Sequence, residues 1–310
     1  MIMSKNDRIR YSSEYDDKVY WERVKRNLGW LGDTEKEARK RQLMLRDTVV
    51  GVAGAGGIGG SMVDRLARLG VLNLKVADLD TFEYSNINRQ LGAGVNTLGR
   101  NKAEVVAEYV HEMTPDVAIE VFPKGITEES AAEFVEGCDY VLDEIEPYEF
   151  KARYALHRAF RASESVKFMI TGYVFGNRTF LWKWTRDSMP IEQFIGLPED
   201  AEMNPEAAEH LMSRLIPETP GYPSPRMQRK WLIDDQTCPI VPGAPPMSQG
   251  LLTERLMLSI TGIEDLADSV RLPVSPGYAM LDSRTWTAKI VDADSMLNSR
   301  TWTAKMAEAR

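Results

Sequence analysis

Hydrophobic and polar positions along this chain change period in a regular order. Thr48–Ala53 (TVVGVA) is short, apolar and β-branched, which predicts a buried strand. A glycine cluster follows at Gly54–Gly60. Ser61–Leu69 then puts Met62, Leu66 and Leu69 on one helical face. Gly70 comes next, where a helix end favours glycine. Leu72–Ala77 predicts a second strand. Strand, glycine turn, helix and strand in that order predict a right-handed βαβ unit with parallel strands. The alternation continues with helices over Lys102–Met113, Ala131–Val135 and Tyr148–Ala162. Strands are predicted at Ala118–Phe122, Tyr140–Leu142, Lys167–Thr171 and Arg178–Lys183.

Such alternation predicts an α/β fold, a doubly wound Rossmann-like and mostly parallel sheet over residues 47–186. Residues 1–46 are polar and charged, mix aromatic and basic residues over Tyr15–Asn27, and predict a helix over Thr34–Leu45. They read as an N-terminal helical arm. Residues 187–246 are rich in proline, with one short helix expected near Pro205–Leu215 and irregular backbone elsewhere. A segment of this kind suits the lining of a substrate pocket. Residues 247–310 form a C-terminal extension, a helix over Ser248–Ile260 and then strands, completing the same domain. Within it Met280–Lys289 (MLDSRTWTAK) recurs as Met296–Lys305 (MLNSRTWTAK), with only Asp282 replaced by Asn298. One repeat period is too little for a solenoid. Each copy suits a strand, and a recent duplication without function is the favoured reading.

Composition narrows the function classes. The net charge of −8 disfavours a nucleic-acid binder, which needs a basic face. The two cysteines, Cys138 and Cys238, lie far apart and outside any Cys-x-x-Cys pair, so neither a disulfide framework nor a cysteine-pair zinc site is expected. No apolar run approaches the length of a membrane span and no signal-peptide pattern opens the chain, so a cytoplasmic protein is expected. His111, His157 and His210 lack metal-ligand spacing.

The glycine-rich turn carries the first chemistry. Gly54, Gly56, Gly57 and Gly59 expose backbone N–H groups at a helix N-terminus, which favours phosphate. With Asp78 ending the next strand, this pattern suits an NAD-dependent oxidoreductase equally well. The following stretch separates the two. Asp78 to Gln90 (DLDTFEYSNINRQ), then Gly99 and Lys102 (LGRNKAE), resembles without a gap the signature of the ubiquitin-activating-enzyme-like family typified by ThiF and MoeB.

That resemblance implies adenylation: ATP transfers AMP to a carboxylate and pyrophosphate leaves. It implies Asp78, with Asp80 beside it, at the ribose, and Asn86, Arg89 and Lys102 on the phosphates, with Gln90 nearby. Fixed donors and cations would carry most of the catalysis. It places a magnesium-holding aspartate where this chain has Glu146, with Pro147 replacing an asparagine and Asp143 able to share the metal. It implies a homodimer whose N-terminal arginine, here Arg26 or else Arg23, reaches into the partner's ATP site. Zinc held by two cysteine pairs, found in some relatives, is not expected. Cys238 is the candidate for a thioester-forming nucleophile. The carboxylate would belong to a small protein, a peptide or a small-molecule acid in a biosynthetic or peptide-tailoring pathway. A non-catalytic partner subunit is the remaining alternative.

Overall fold

In the computed structural model, residues 2–3, 8–266 and 268–297 are described. Ten strands form one sheet: β1 (Ile2–Met3), β2 (Ile9–Tyr11), β3 (Val49–Ala53), β4 (Asn73–Ala77), β5 (Ala118–Phe122), β6 (Tyr140–Asp143), β7 (Phe168–Phe175), β8 (Arg178–Trp184), β9 (Tyr278–Asp282) and β10 (Thr287–Val291). Their order is β1-β2-β5-β4-β3-β6-β7-β8-β9-β10. The central five, β5-β4-β3-β6-β7, are parallel, and the strands added on either side are antiparallel. Strand order therefore reverses between β3 and β6. At such a switch point successive connections leave to opposite faces and open a crevice at the strand ends.

The helices are α1 (Asp17–Val24), α2 (Leu28–Leu31), α3 (Glu35–Asp47), α4 (Gly59–Leu69), α5 (Lys102–Met113), α6 (Glu128–Val135), α7 (Phe150–Ala162), α8 (Ile191–Ile195), α9 (Pro205–Leu215), α10 (Pro225–Arg229), α11 (Ala244–Thr261) and α12 (Ala293–Leu297). Several start where the side chain before the first turn takes an orphan N–H, as Thr34, Asn101, Thr127 and Asn204 do. On one face of the sheet α3, α4, α5 and α11 pack on Val50, Val52, Leu74 and Val76. On the other, α6 to α9 pack on Val141, Met169, Phe180 and Trp182. Gly51 packs tightly there, since a Cβ would stand 3.0 Å from the Phe134 ring.

Three sequence expectations are corrected. The arm is not only helical, because Ile9–Tyr11 pairs antiparallel with β5 at the sheet edge. The arm is also fastened under α4: Tyr20 Oη donates to Gly70 O at 3.0 Å, Gln42 Nε2 to Leu69 O at 2.9 Å, and Arg23 to Ala67 O. Residues 187–246 hold three whole α-helices, a π-helix over Lys230–Asp234 and the start of α11, not one helix, because Ile191, Phe194, Leu211 and Met212 face the core and stabilise their turns by burial. Finally, the first repeat copy is a whole hairpin, β9-turn-β10, where a single strand was expected. Asp282 makes the turn by accepting from the N–H groups of Arg284 and Thr285 and from Arg178 Nε at 2.7 Å. Most of the second copy lies outside the described residues, with Met296–Leu297 ending α12. No described helix is long and apolar enough to cross a membrane.

Candidate active site

The crevice at the switch point is bounded by the glycine loop after β3, the acidic end of β4, the segment after β6 and the upper part of β7. Gly54 has φ +100°, a left-handed conformation that favours glycine. A Cβ on Gly54 would lie 2.3 Å from Glu144 O, and one on Gly59 only 1.9 Å from Gly54 O. The loop is thus folded hard against residue 144 and against itself, and α4 starts at Gly59 with its N-terminus toward the crevice. Gly56 by contrast is open, since a Cβ there would meet only Gln90 Nε2, at 3.9 Å.

Asp78 fastens this loop to β4. Its Oδ2 accepts from Ala55 N at 2.6 Å and its Oδ1 from Asp80 N at 2.8 Å. Burial raises the Asp78 carboxyl above its usual range, opposed by those two N–H groups. Lys102 opens α5, is buried, and sets Nζ 2.8 Å from Asp80 Oδ2. Asp78, Asp80, Lys102 and Glu146, with Gly54 and Gly56, line a cavity of about 150 Å³ that ends on Gly125 and Ile126. A second cavity of about 110 Å³ adjoins it, lined by Gly56 to Gly59, Arg89, Gln90, Tyr173, Val174, Cys238 and Pro245. Gly56, Glu144, Ile145 and Glu146 border both. Arg89 Nη1 donates to Ser85 O at 3.2 Å and Asn88 Oδ1 at 3.0 Å, while Asn88 Nδ2 reaches Ile240 O at 3.0 Å. The loop after β4 is thereby tied to the proline-rich segment. Gln90 is buried and lines the second cavity, and its Oε1 has no hydrogen-bond donor among the described residues.

Some expected residues stand elsewhere. Asn86 lines neither cavity: its Oδ1 accepts from Glu83 N at 2.9 Å and closes the turn Tyr84–Asn86. Asp143 is not free to hold a metal. It is fully buried, with Oδ2 3.0 Å from both Arg153 Nε and His157 Nε2, and Oδ1 3.3 Å from Ile145 N. Burial alone would raise its carboxyl, but Arg153 and then His157 bring it below the usual value. Glu146 opens into the cleft; enclosure raises its carboxyl, opposed by Lys102, Arg153 and Arg89. Arg23 is committed to Asp116 Oδ2 at 2.8 Å and to Ala67 O, whereas Arg26 is exposed and makes no hydrogen bond or ion pair among the described residues. Cys238 lines the second cavity, but burial pushes its thiol up to about 12, so it is a thiol and not a thiolate at neutral pH.

Sequence reading missed Glu144, Arg153 and His157. Glu144 is half-buried on the wall between the cavities, and its Oε1 accepts from Gly172 N at 2.9 Å. Burial raises its carboxyl well above the usual range, with the Gly172 N–H opposing. The acid run Asp143-Glu144-Ile145-Glu146 was the available signal for it. Nothing local in helix α7 distinguishes Arg153 from its surface neighbours.

The sequence profile of the ThiF family matches residues 24–210. A tRNA threonylcarbamoyladenosine dehydratase of Haemophilus influenzae is 37% identical over 109 residues, 35% of this chain and 42% of that protein. A SAMP-activating enzyme E1 of Haloferax volcanii is 35% identical over 127 residues, 41% of this chain and 45% of that one. The chain thus spans less than half the length of these curated relatives. Among solved structures, PaaA aligns with a TM-score of 0.64 at 16% identity, covering 91% of this chain and 76% of its own. Escherichia coli MccB with MccA-N7isoASN aligns at 0.63 and 14%, covering 90% and 72%. At such identities these two establish the fold alone. The profile covers more than half of the chain, from the arm through the glycine loop to α9: the chain belongs to the ThiF family.

Proposed function

We propose that this chain uses ATP and magnesium to adenylate a carboxylate, releasing pyrophosphate. The observation that carries the reading is the pair of adjoining cavities sharing Gly56, Glu144, Ile145 and Glu146. The nucleoside lies on the side of Asp78, Asp80 and Lys102, with the phosphates along Gly56 to Gly59 toward Arg89. The acid enters beside Tyr173 and Cys238. Its oxygen bonds to the α-phosphorus as the bond to the bridging oxygen breaks, and the electron pair leaves with pyrophosphate. Backbone N–H groups, the α4 N-terminus, Lys102 and Arg89 hold the charge that gathers on phosphoryl oxygens. No group of three or more metal-ligating side chains occurs among the described residues. Glu146 fits a magnesium ion that arrives on the phosphates and takes one or two protein carboxylates. Such an ion neutralises phosphate charge when bound. Asp143, held by Arg153 and His157, positions the segment carrying Glu146.

Adenylation is favoured over the NAD reading by Lys102 and Arg89 standing one on each cavity, cations a hydride transfer does not need. A homodimer completed by the exposed Arg26 belongs to the same proposal. The name of the Haemophilus relative admits a carboxylate carried on tRNA, but the net charge of −8 works against a nucleic-acid partner. A thioester on Cys238 is disfavoured by its protonated state. The test is ATP–pyrophosphate exchange across a panel of acids. Exchange lost in both Arg89→Ala and Lys102→Ala is the expected result. Full exchange in both variants, or tight NADH binding with no exchange on any acid, would sink the assignment.

A further inference from the structure

The C-terminal hairpin leaves one face of the sheet half-open. Along β9 burial alternates: Tyr278, Met280 and Asp282 are buried, while Ala279 and Leu281 between them are only half-buried. Residues opposed on paired strands share a face. Leu181, Ala279 and Ile290 therefore stand in one row across β8, β9 and β10, with Leu281 and Ala288 in the next. Each row has an alanine beside branched side chains, so the sheet face is hollow there. Helix α11 packs on β7 and β8 and gives this hollow a wall with Leu251 and Arg255. Val270, in the connection before β9, borders it as well. The resulting groove holds about 500 Å³, within the range of small-molecule sites. Two of its apolar residues, Val270 and Ile290, are 59% and 47% exposed. The groove has no lining residue in common with the two cavities of the candidate active site. At 1.5 Å per residue, Arg255 lies about 9 Å along α11 from Gln249, which donates to Gly57 O at 2.8 Å.

The charged residues that line the groove, Arg255 and Lys289, are both cations. Lys289 is opposed to the buried Met280, and its Nζ is committed to Glu218. Arg255 is only partly satisfied. Its Nη2 donates to Val270 O at 2.5 Å, and Glu264 Oε2 stands 3.8 Å away. Its Nε is enclosed and has no acceptor among the described residues. An enclosed cationic donor without an acceptor costs free energy that an arriving anion recovers. We propose that this groove binds a free fatty acid, with the chain over the alanine hollow and the carboxylate on Arg255. The proposal is independent of the adenylation reading, because the groove is a separate site. A hollow between a helix and a sheet face takes one flexible chain lengthwise. At about 30 Å³ for a group the size of a water molecule, it has room for a chain of roughly 12–16 carbons. Residues 298–310 fit less well as the occupant: they carry Arg300, Lys305 and Arg310 against Glu308, and bring like charge to Arg255.

The test is calorimetric titration of the full chain with octanoate, decanoate and dodecanoate, each below its micelle concentration. Affinity is expected to rise about fourfold per added methylene. Dodecyltrimethylammonium, with the same chain and the opposite charge, is expected to bind at least ~10-fold more weakly than dodecanoate. Ala288→Phe puts a ring into the hollow from an exposed position on the last strand. It is expected to remove at least ~10-fold of the dodecanoate affinity while the thermal melt stays where it was. Arg255→Gln is expected to lose about tenfold for the acids and nothing for 1-decanol. Equal affinity across the three chain lengths overturns the inference. So does equal binding of the ammonium compound, or wild-type affinity in the Ala288→Phe protein. Binding that appears only when the chain is cut after Leu297 would give the groove to residues 298–310. Binding that appears only when a dimer is diluted to monomer would give it to a second copy of the chain. Either result overturns the fatty acid, as does the absence of binding in every form.

Discussion

Replacing Asp143 by asparagine isolates the charge pair behind the site. Arg153 is 0% exposed and Asp143 1%, with Nε and Oδ2 3.0 Å apart. Removing one partner of a buried pair costs about 3–5 kcal/mol, because the other charge is left without compensation. Arg153 keeps its bond to the Ile145 carbonyl and the face of Tyr173, 5.5 Å from the ring centre, which puts the expected loss near the lower end, about 3 kcal/mol. Urea unfolding followed by circular dichroism measures this as a fall in midpoint at unchanged slope. The double variant Asp143→Leu with Arg153→Met should cost less than Asp143→Asn alone, since no charge then remains buried. The pH dependence has a definite sign. Asp143 titrates lower in the folded chain than its ordinary 3.8, so its stabilisation is present above that value and is lost as pH falls through the folded one. The gap between wild type and Asp143→Asn should therefore stay flat from neutral pH down to about 3.8 and close below it. A cost under about 1 kcal/mol, or a double variant costing the sum of the two singles, would refute the reasoning.

Three further outcomes are expected. Gly59→Ala forces a Cβ to within 1.9 Å of Gly54 O, so the loop must open and ATP affinity by calorimetry should fall more than ~10-fold; undiminished affinity would show that the loop does not cradle phosphate. Glu144 titrates far above its ordinary 4.5 in the folded chain, so stability is fully present below 4.5 and declines as pH rises toward the folded value. Relative to Glu144→Gln, wild type should lose up to about 1.4 kcal/mol per pH unit in that window, less where water reaches the outer oxygen, and parallel curves would count against a neutral Glu144. Asp282→Asn, the one difference between the two repeat copies, keeps a side-chain oxygen for the turn but removes the charge facing Arg178; about 1–3 kcal/mol of stability should be lost in urea melts, and no loss would mean the ion pair is idle.

The parallel core was legible because its strands are buried on both faces and its helices on one. Lys102–Met113 and Ala118–Phe122 fall where the periodicity put them. Of the strands added antiparallel, β8 was legible too, at Arg178–Lys183, but β2 was not, since Ile9–Tyr11 carries three residues of pattern and the partner strand that selects it lies more than a hundred positions away. In the site, Asp78, Arg89, Gln90 and Lys102 could be picked out through the resemblance to the family signature and do border the two cavities. Asn86 and Asp143 were implied by the same resemblance, yet one closes a turn and the other faces a buried guanidinium. Which way a side chain turns depends on Glu83 and Arg153, and spacing along the chain carries neither fact.

The fastening of the arm beneath α4 has an electrical consequence. A helix carries about half a unit of positive charge at its start and half a unit of negative charge at its end. At the end of α4, Arg23 lies on the carbonyl of Ala67, while Tyr20 and Gln42 donate to Gly70 and Leu69. The negative pole is thereby neutralised by a fixed cation and two donors, and the positive pole at Gly59 is left unopposed. Seen from the crevice, α4 behaves less like a dipole than like a single fractional cation, maintained by residues 27 to 50 positions earlier in the chain. An arm detached from α4 would restore the opposing pole and weaken the field on a bound phosphate without moving any atom that touches it.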